Sequence, residues 1–136
     1  MQKIRMMVVF RLLLWMTAVF ILGYWLSVFA GVFPVEETVP GYKAWFMSFP
    51  LADAYVALCA VVSAVNIERR TLLSALFGTM AGSGLIFLGL YALAYGHVTG
   101  LLYITSVEES VEIAIKLYCL SAGSFFIHRS WRMLNT

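Results

Sequence analysis

Charge is what this sequence has least of. Only 12% of its 136 residues are Asp, Glu, Lys or Arg, while 62% are hydrophobic; water-soluble domains hold roughly 25% and 45–50%. A water-soluble fold cannot cover that much apolar surface. The nine Lys and Arg residues and seven Asp and Glu residues leave a formal charge of +2. The basic residues form no tract that could follow a phosphate backbone, so no nucleic-acid partner is expected.

The common catalytic signatures are also missing. The two cysteines, Cys59 and Cys119, stand inside apolar stretches without CxxC spacing or a nearby His, and they read as small packing residues. There is no HExxH zinc helix, no acidic pair at metal spacing and no Gly-rich phosphate loop. Neither a metal nor a cofactor is expected, and the chain leans away from enzymes.

What the sequence does have is four apolar runs, at about 12–32, 50–67, 72–95 and 107–127. Each approaches or exceeds the roughly 20 helical residues that a hydrocarbon core of about 30 Å requires. The runs show no strand-like alternation, which excludes a barrel. The first run, 12–32, follows basic Lys3 and Arg5 as a secretory signal would, but it is longer than the usual h-region of about 7–15 residues. The expected fold class is all-α: a single transmembrane domain, 1–136, folded as an antiparallel four-helix bundle.

Basic residues orient it. Lys3, Arg5, Arg11, Arg69, Arg70, Arg129 and Arg132 fall on one side, which is seven of the nine, with Glu68 the one acid among them. Glu36, Glu37, Asp53, Glu108, Glu109 and Glu112 lie toward the other side. By the positive-inside rule both termini are cytoplasmic. The expected location is a multi-pass position in a bacterial inner (plasma) membrane, with the lipid bilayer as the first partner. The long connection between the first two spans carries the segment YKAWFMSF, 42–49, whose aromatic residues and Lys43 suit the headgroup layer.

Small residues recur along the third span as Thr71, Ala75, Gly78, Gly82, Leu85, Gly89, Ala92 and Gly96. Such a row lets helices approach closely, the main attractive device where water is absent. Gly78, Gly82 and Gly89 are therefore candidate packing-seam residues. Matching rows are Asp53, Ala57, Ala60 and Ala64 on the second span, and Glu109, Glu112, Lys116, Cys119 and Gly123 on the fourth. The rows hold one monomer together or form a subunit interface.

Turned inward, these rows bury Asp53, Glu112 and Lys116, a candidate binding or proton site. With the fourth span starting near Val107, Lys116 lies about 13 Å along it, near mid-bilayer. Lys116 is expected to pair with Glu112, four residues earlier, or with Asp53. His97, Glu108 and Glu109 are placed at an outer mouth above this cluster. Below it only Cys59, Ser63, Ser74, Ser121 and Ser124 offer polar atoms, too few for a complete conductive path.

Three functions fit these observations. The first is a non-enzymatic subunit or accessory component of a membrane assembly, associated with a membrane-protein partner or a second copy. The alternative is a proton- or cation-linked small transporter or channel working as an oligomer. The third is a lipid- or quinone-directed membrane enzyme using Asp53, His97 and Glu108.

Overall fold

The computed structural model describes residues 1–135. Thr136, at the end of the expected domain, and the side chains of Gln2 and Lys3 lie outside the described residues. Among the described residues the chain is helical without strands: α1 (Gln2–Phe29), α2 (Tyr42–Phe46), α3 (Phe49–Asn66), α4 (Thr71–Thr99), a 3₁₀ turn (Leu101–Tyr103) and α5 (Val107–Leu134). Four helices are long and apolar enough to cross a membrane, consistent with a multi-pass membrane protein.

α1 and α5 outrun their apolar segments the most, and α4 continues a turn beyond its own to Thr99. α1 starts at Gln2 rather than near residue 12, and α5 continues to Leu134 rather than stopping near residue 127. Arg and Lys are good helix formers, so helix persists where hydrophobicity stops. At 28 residues, α5 is about 42 Å long, and its midpoint falls near Leu120 rather than at Lys116.

Local chemistry explains the other boundaries. Pro50 stands in the first turn of α3, where its missing N–H costs nothing. Gly100, with φ +78°, ends α4 in the left-handed region that residues with a Cβ avoid. Ser106 caps α5, its hydroxyl oxygen accepting from the Glu109 backbone N–H at 3.0 Å. The carboxylates of Glu108 and Glu109 lie in that first turn, where the helix dipole favours them.

The long helices pack in sequence order: α1 on α3, α3 on α4, and α4 most intimately on α5. The small residues of α4 make that last contact. A Cβ built on Gly82 would stand 2.6 Å from the Gly123 carbonyl oxygen, and one on Gly123 would stand 2.6 Å from the Gly82 carbonyl oxygen. A Cβ on Gly89 would meet Cys119 at 3.1 Å, and one on Gly78 would meet the Ser130 hydroxyl at 2.5 Å. A side chain at Gly82 or Gly123 would meet backbone and wedge the helices apart, whereas one at Gly78 or Gly89 would first displace a neighbouring side chain.

α3 and α4 are clasped near their short connection. The Ser63 hydroxyl donates to the Ser74 carbonyl at 2.8 Å, and the Ser74 hydroxyl donates to the Ser63 carbonyl at 2.9 Å. Both residues are fully buried, so both hydroxyl hydrogens are used where water cannot serve them. Arg11 on α1 reaches Glu68 in the same connection at 2.8 Å, an exposed pair that contributes about 0–1 kcal/mol.

α1 and α5 meet through long side chains. Phe10 packs edge-on against Phe125 and Phe126 at 6.3 and 5.8 Å, and the hydroxyls of Thr17 and Tyr118 share a hydrogen bond of 2.7 Å. One further seven-residue step along α1 reaches Tyr24, which lines the same cavity as Glu112 and Ile115 of α5. The buried stripe of α1 thus runs from an aromatic plug to a cavity.

Candidate functional site

The cavity lies between all four long helices at the end remote from Ser63 and Ser74. Its volume is about 90 Å³, and it is lined by Tyr24 and Trp25 of α1, Trp45 and Phe46 of α2, Phe49 and Asp53 of α3, Ala92 of α4, and Glu112, Ile115 and Lys116 of α5. Half of these residues are aromatic, three are charged, and α2 closes the space like a strap.

Several contacts pin that strap. Gly41, with φ +85°, precedes the helix. Its backbone N–H donates to the Glu37 carboxylate, as does that of Lys43 at 2.9 Å. Trp45 stacks on Tyr95 of α4 with ring centroids 3.9 Å apart and planes 8° apart. Phe46 leans on Trp25 at 5.3 Å and on Tyr24 at 6.4 Å. The Tyr42 hydroxyl donates to the Glu112 carboxylate. The 42–49 segment is therefore a helix for its first part, and it serves as a wall of the cavity.

Lys116 is 5% exposed and lies between two carboxylates, Glu109 Oε1 at 3.3 Å and Glu112 Oε2 at 3.4 Å. Helical side chains lean toward their own N-terminus. The ammonium of Lys116 is thus drawn along α5 toward Glu109, away from the helix midpoint. Gly96 of α4 leaves room for it: a Cβ there would stand 3.6 Å from the Lys116 nitrogen. Removing one member of such a buried set costs about 3–5 kcal/mol, because its partner is left unpaired.

Of the two carboxylates expected as alternative partners of Lys116, the structure pairs it with Glu112 and not with Asp53. The Asp53 Oδ2 accepts from the Trp25 indole N–H at 2.7 Å, and among the described residues no cation stands within ion-pair distance of it. Glu109 also differs from its expected position at the mouth, being 7% exposed and inside the cluster. It lies seven residues before Lys116, two helical turns away on the same face.

Glu108 is exposed, and His97 is exposed with its Nδ1 2.6 Å from the Tyr103 hydroxyl. Neither lines the cavity with Asp53, so the acid and base groups of an enzyme are not gathered there. Among the described residues no group of three His, Cys, Asp or Glu side chains could hold a metal ion.

Sequence reasoning missed Trp25 and Tyr42. An indole in an apolar helix needs a hydrogen-bond partner, and that need was the available signal for a Trp25–Asp53 pair. No comparable signal marks Tyr42, whose partner lies 70 positions away. No family model, curated protein or solved structure matches the chain.

Proposed function

We propose that the chain is a non-enzymatic integral membrane protein, a subunit or accessory component of a membrane assembly. In this reading its four long helices form an antiparallel bundle with both termini cytoplasmic. The basic residues near the α1 start, the α3–α4 connection and the α5 end support that orientation. The paired positions on α4 and α5 support the antiparallel arrangement, since they advance along one helix as they recede along the other.

One observation carries the reading: the charged, aromatic cavity is one-ended. Beneath Lys116 the space is filled by the Gly82–Gly123 approach, Phe126 and the Ser63–Ser74 clasp. A chamber closed in that way holds a group and does not conduct it. The test is chemical cross-linking in native membranes, followed by purification in mild detergent. A specific second membrane protein, cross-linked at the same sites in repeated preparations, is the expected result; recovery of this chain alone contradicts it.

A second reading, a proton- or cation-linked transporter working as an oligomer, draws support from Tyr42, Glu112 and Glu109 as a connected titratable set. It predicts flux into liposomes from the purified chain that is lost in Glu112→Gln. The accessory reading predicts no flux above empty liposomes in either protein.

A further inference from the structure

We propose that the chamber binds a small organic cation, an alkylammonium group held between the Asp53 carboxylate and the aromatic rings around it. This deepens the reading of the chamber as a holding site and rests on it.

Three features of the chamber point to that ligand class. The first is charge. Two carboxylates, Asp53 and Glu112, line the cavity against the single ammonium of Lys116, which Glu109 outside the lining also neutralises, and among the described residues no other cation lines the space. Lys116 is committed to Glu109 and Glu112, and Glu112 is further occupied by the Tyr42 hydroxyl. Asp53 is met only by a neutral indole. A carboxylate that faces a cavity without a cationic partner is costly in an apolar setting, and a cation entering the cavity would relieve that cost.

The second feature is the wall. Tyr24, Trp25, Trp45, Phe46 and Phe49 line the cavity, and their contacts with one another hold them in place. Aromatic rings attract a cation through their quadrupoles, most strongly when it is poorly hydrated, which is how aromatic cages take quaternary ammonium groups. A metal ion would need a shell of oxygen ligands; beyond the Tyr24 phenol and the Asp53 carboxylate the lining offers only the Glu112 carboxylate, which Lys116 and Tyr42 already hold.

The third is size. About 90 Å³ is room for several waters or one compact ammonium head group. The same head group occurs as a free small cation and on a lipid. Either source satisfies the chemistry, and the experiment separates them.

Calorimetric titration of tetramethylammonium into the purified full chain, in nanodiscs of phosphatidylglycerol, should show saturable binding. tert-Butanol, of similar shape without charge, should bind at least about tenfold more weakly, a difference of about 1.4 kcal/mol. Asp53→Asn keeps an oxygen that accepts from Trp25 and removes only the charge, so it should fold as the wild type does and bind about tenfold more weakly. Trp45→Leu tests the wall independently, and circular dichroism with size-exclusion chromatography checks that both variants fold.

Adding phosphatidylcholine to the nanodiscs identifies the source: competition with tetramethylammonium assigns the site to a lipid head group, and undiminished binding assigns it to a free cation. Absence of binding to folded wild type overturns the inference. So does equal binding of tert-butanol, or binding unchanged in both variants. A chain that binds no ammonium yet retains its membrane partner refutes this inference alone. A chain that binds ammonium and also carries flux refutes the accessory reading instead.

Discussion

The two ends of this molecule use opposite devices to hold the same four long helices together. At the seam end, around Gly82, Gly123, Ser63 and Ser74, backbones touch and polar atoms satisfy one another locally. At the polar end, around Asp53, Glu112 and Lys116, large side chains and charges keep the helices apart and leave a cavity. Close packing specifies a shape and admits nothing; the spaced end gives up packing and gains recognition chemistry. In the proposed reading, function lies at one end and most of the structural specificity at the other.

That contrast can be broken most severely at the seam. Gly82→Leu puts a branched side chain where even a Cβ would lie 2.6 Å from backbone oxygen. It should prevent recovery of a monodisperse folded chain, as judged by size-exclusion chromatography in detergent. Gly23, where an added Cβ would meet nothing within 4 Å, is the matching control.

At the polar end, Lys116→Met should cost about 3–5 kcal/mol, by leaving Glu109 and Glu112 unpaired. The check is thermal unfolding followed by circular dichroism. Adding Glu109→Gln and Glu112→Gln to that variant should recover much of the loss, since the unpaired charges are then gone. No recovery would mean that Lys116 acts through packing and not through charge.

A smaller effect is expected at the clasp. Ser74→Ala removes one donor from a buried reciprocal pair, for a loss of about 1 kcal/mol in the same assay. The smallest belongs to Gly23→Ala, which should change stability by less than about 0.5 kcal/mol or raise it slightly, because Ala favours helix over Gly. A large loss there would show that the open face of α1 is itself covered.

How much of this was legible in the sequence differs between the same two ends. The seam could be read directly, because a row of small residues at helical spacing marks the face on which a helix meets a close neighbour; Gly78, Gly82 and Gly89 are all buried where the row placed them. The four helices were equally plain from the length of their apolar runs. Their ends were not, because Arg5, Arg11, Arg129 and Arg132 continue a helix without adding hydrophobicity.

At the polar end the residues Asp53, Glu112 and Lys116 stood out as buried charges, and the four-residue spacing marked the Lys116–Glu112 pair, but not the second partner Glu109 or the turn of Asp53 toward Trp25. Glu109 was placed at the outer mouth, and Ser106 with Glu109 does match the start of a capping box. Its carboxylate nonetheless serves Lys116, because two helical turns bring them to the same face. Trp25 was hidden for a different reason: α1 is apolar on every side, so no periodicity distinguishes the face that meets Asp53. Contacts between distant segments, such as Tyr42 with Glu112, depend on the packed arrangement and leave no trace in local sequence.

The proposed asymmetry, a chamber open to the external side above a seam closed toward the cytoplasm, can be measured outright. Ala92 lines the cavity, and Ser63 lies in the closed seam. Thiol labelling of Ala92→Cys and Ser63→Cys, each in a background with Cys59 and Cys119 replaced by Ser, uses a membrane-impermeant reagent on sealed vesicles of each orientation. Ala92→Cys should be modified from the external face alone, and Ser63→Cys should resist from both. Labelling of Ala92→Cys from the cytoplasmic face, or from neither face, would refute an outward-opening chamber.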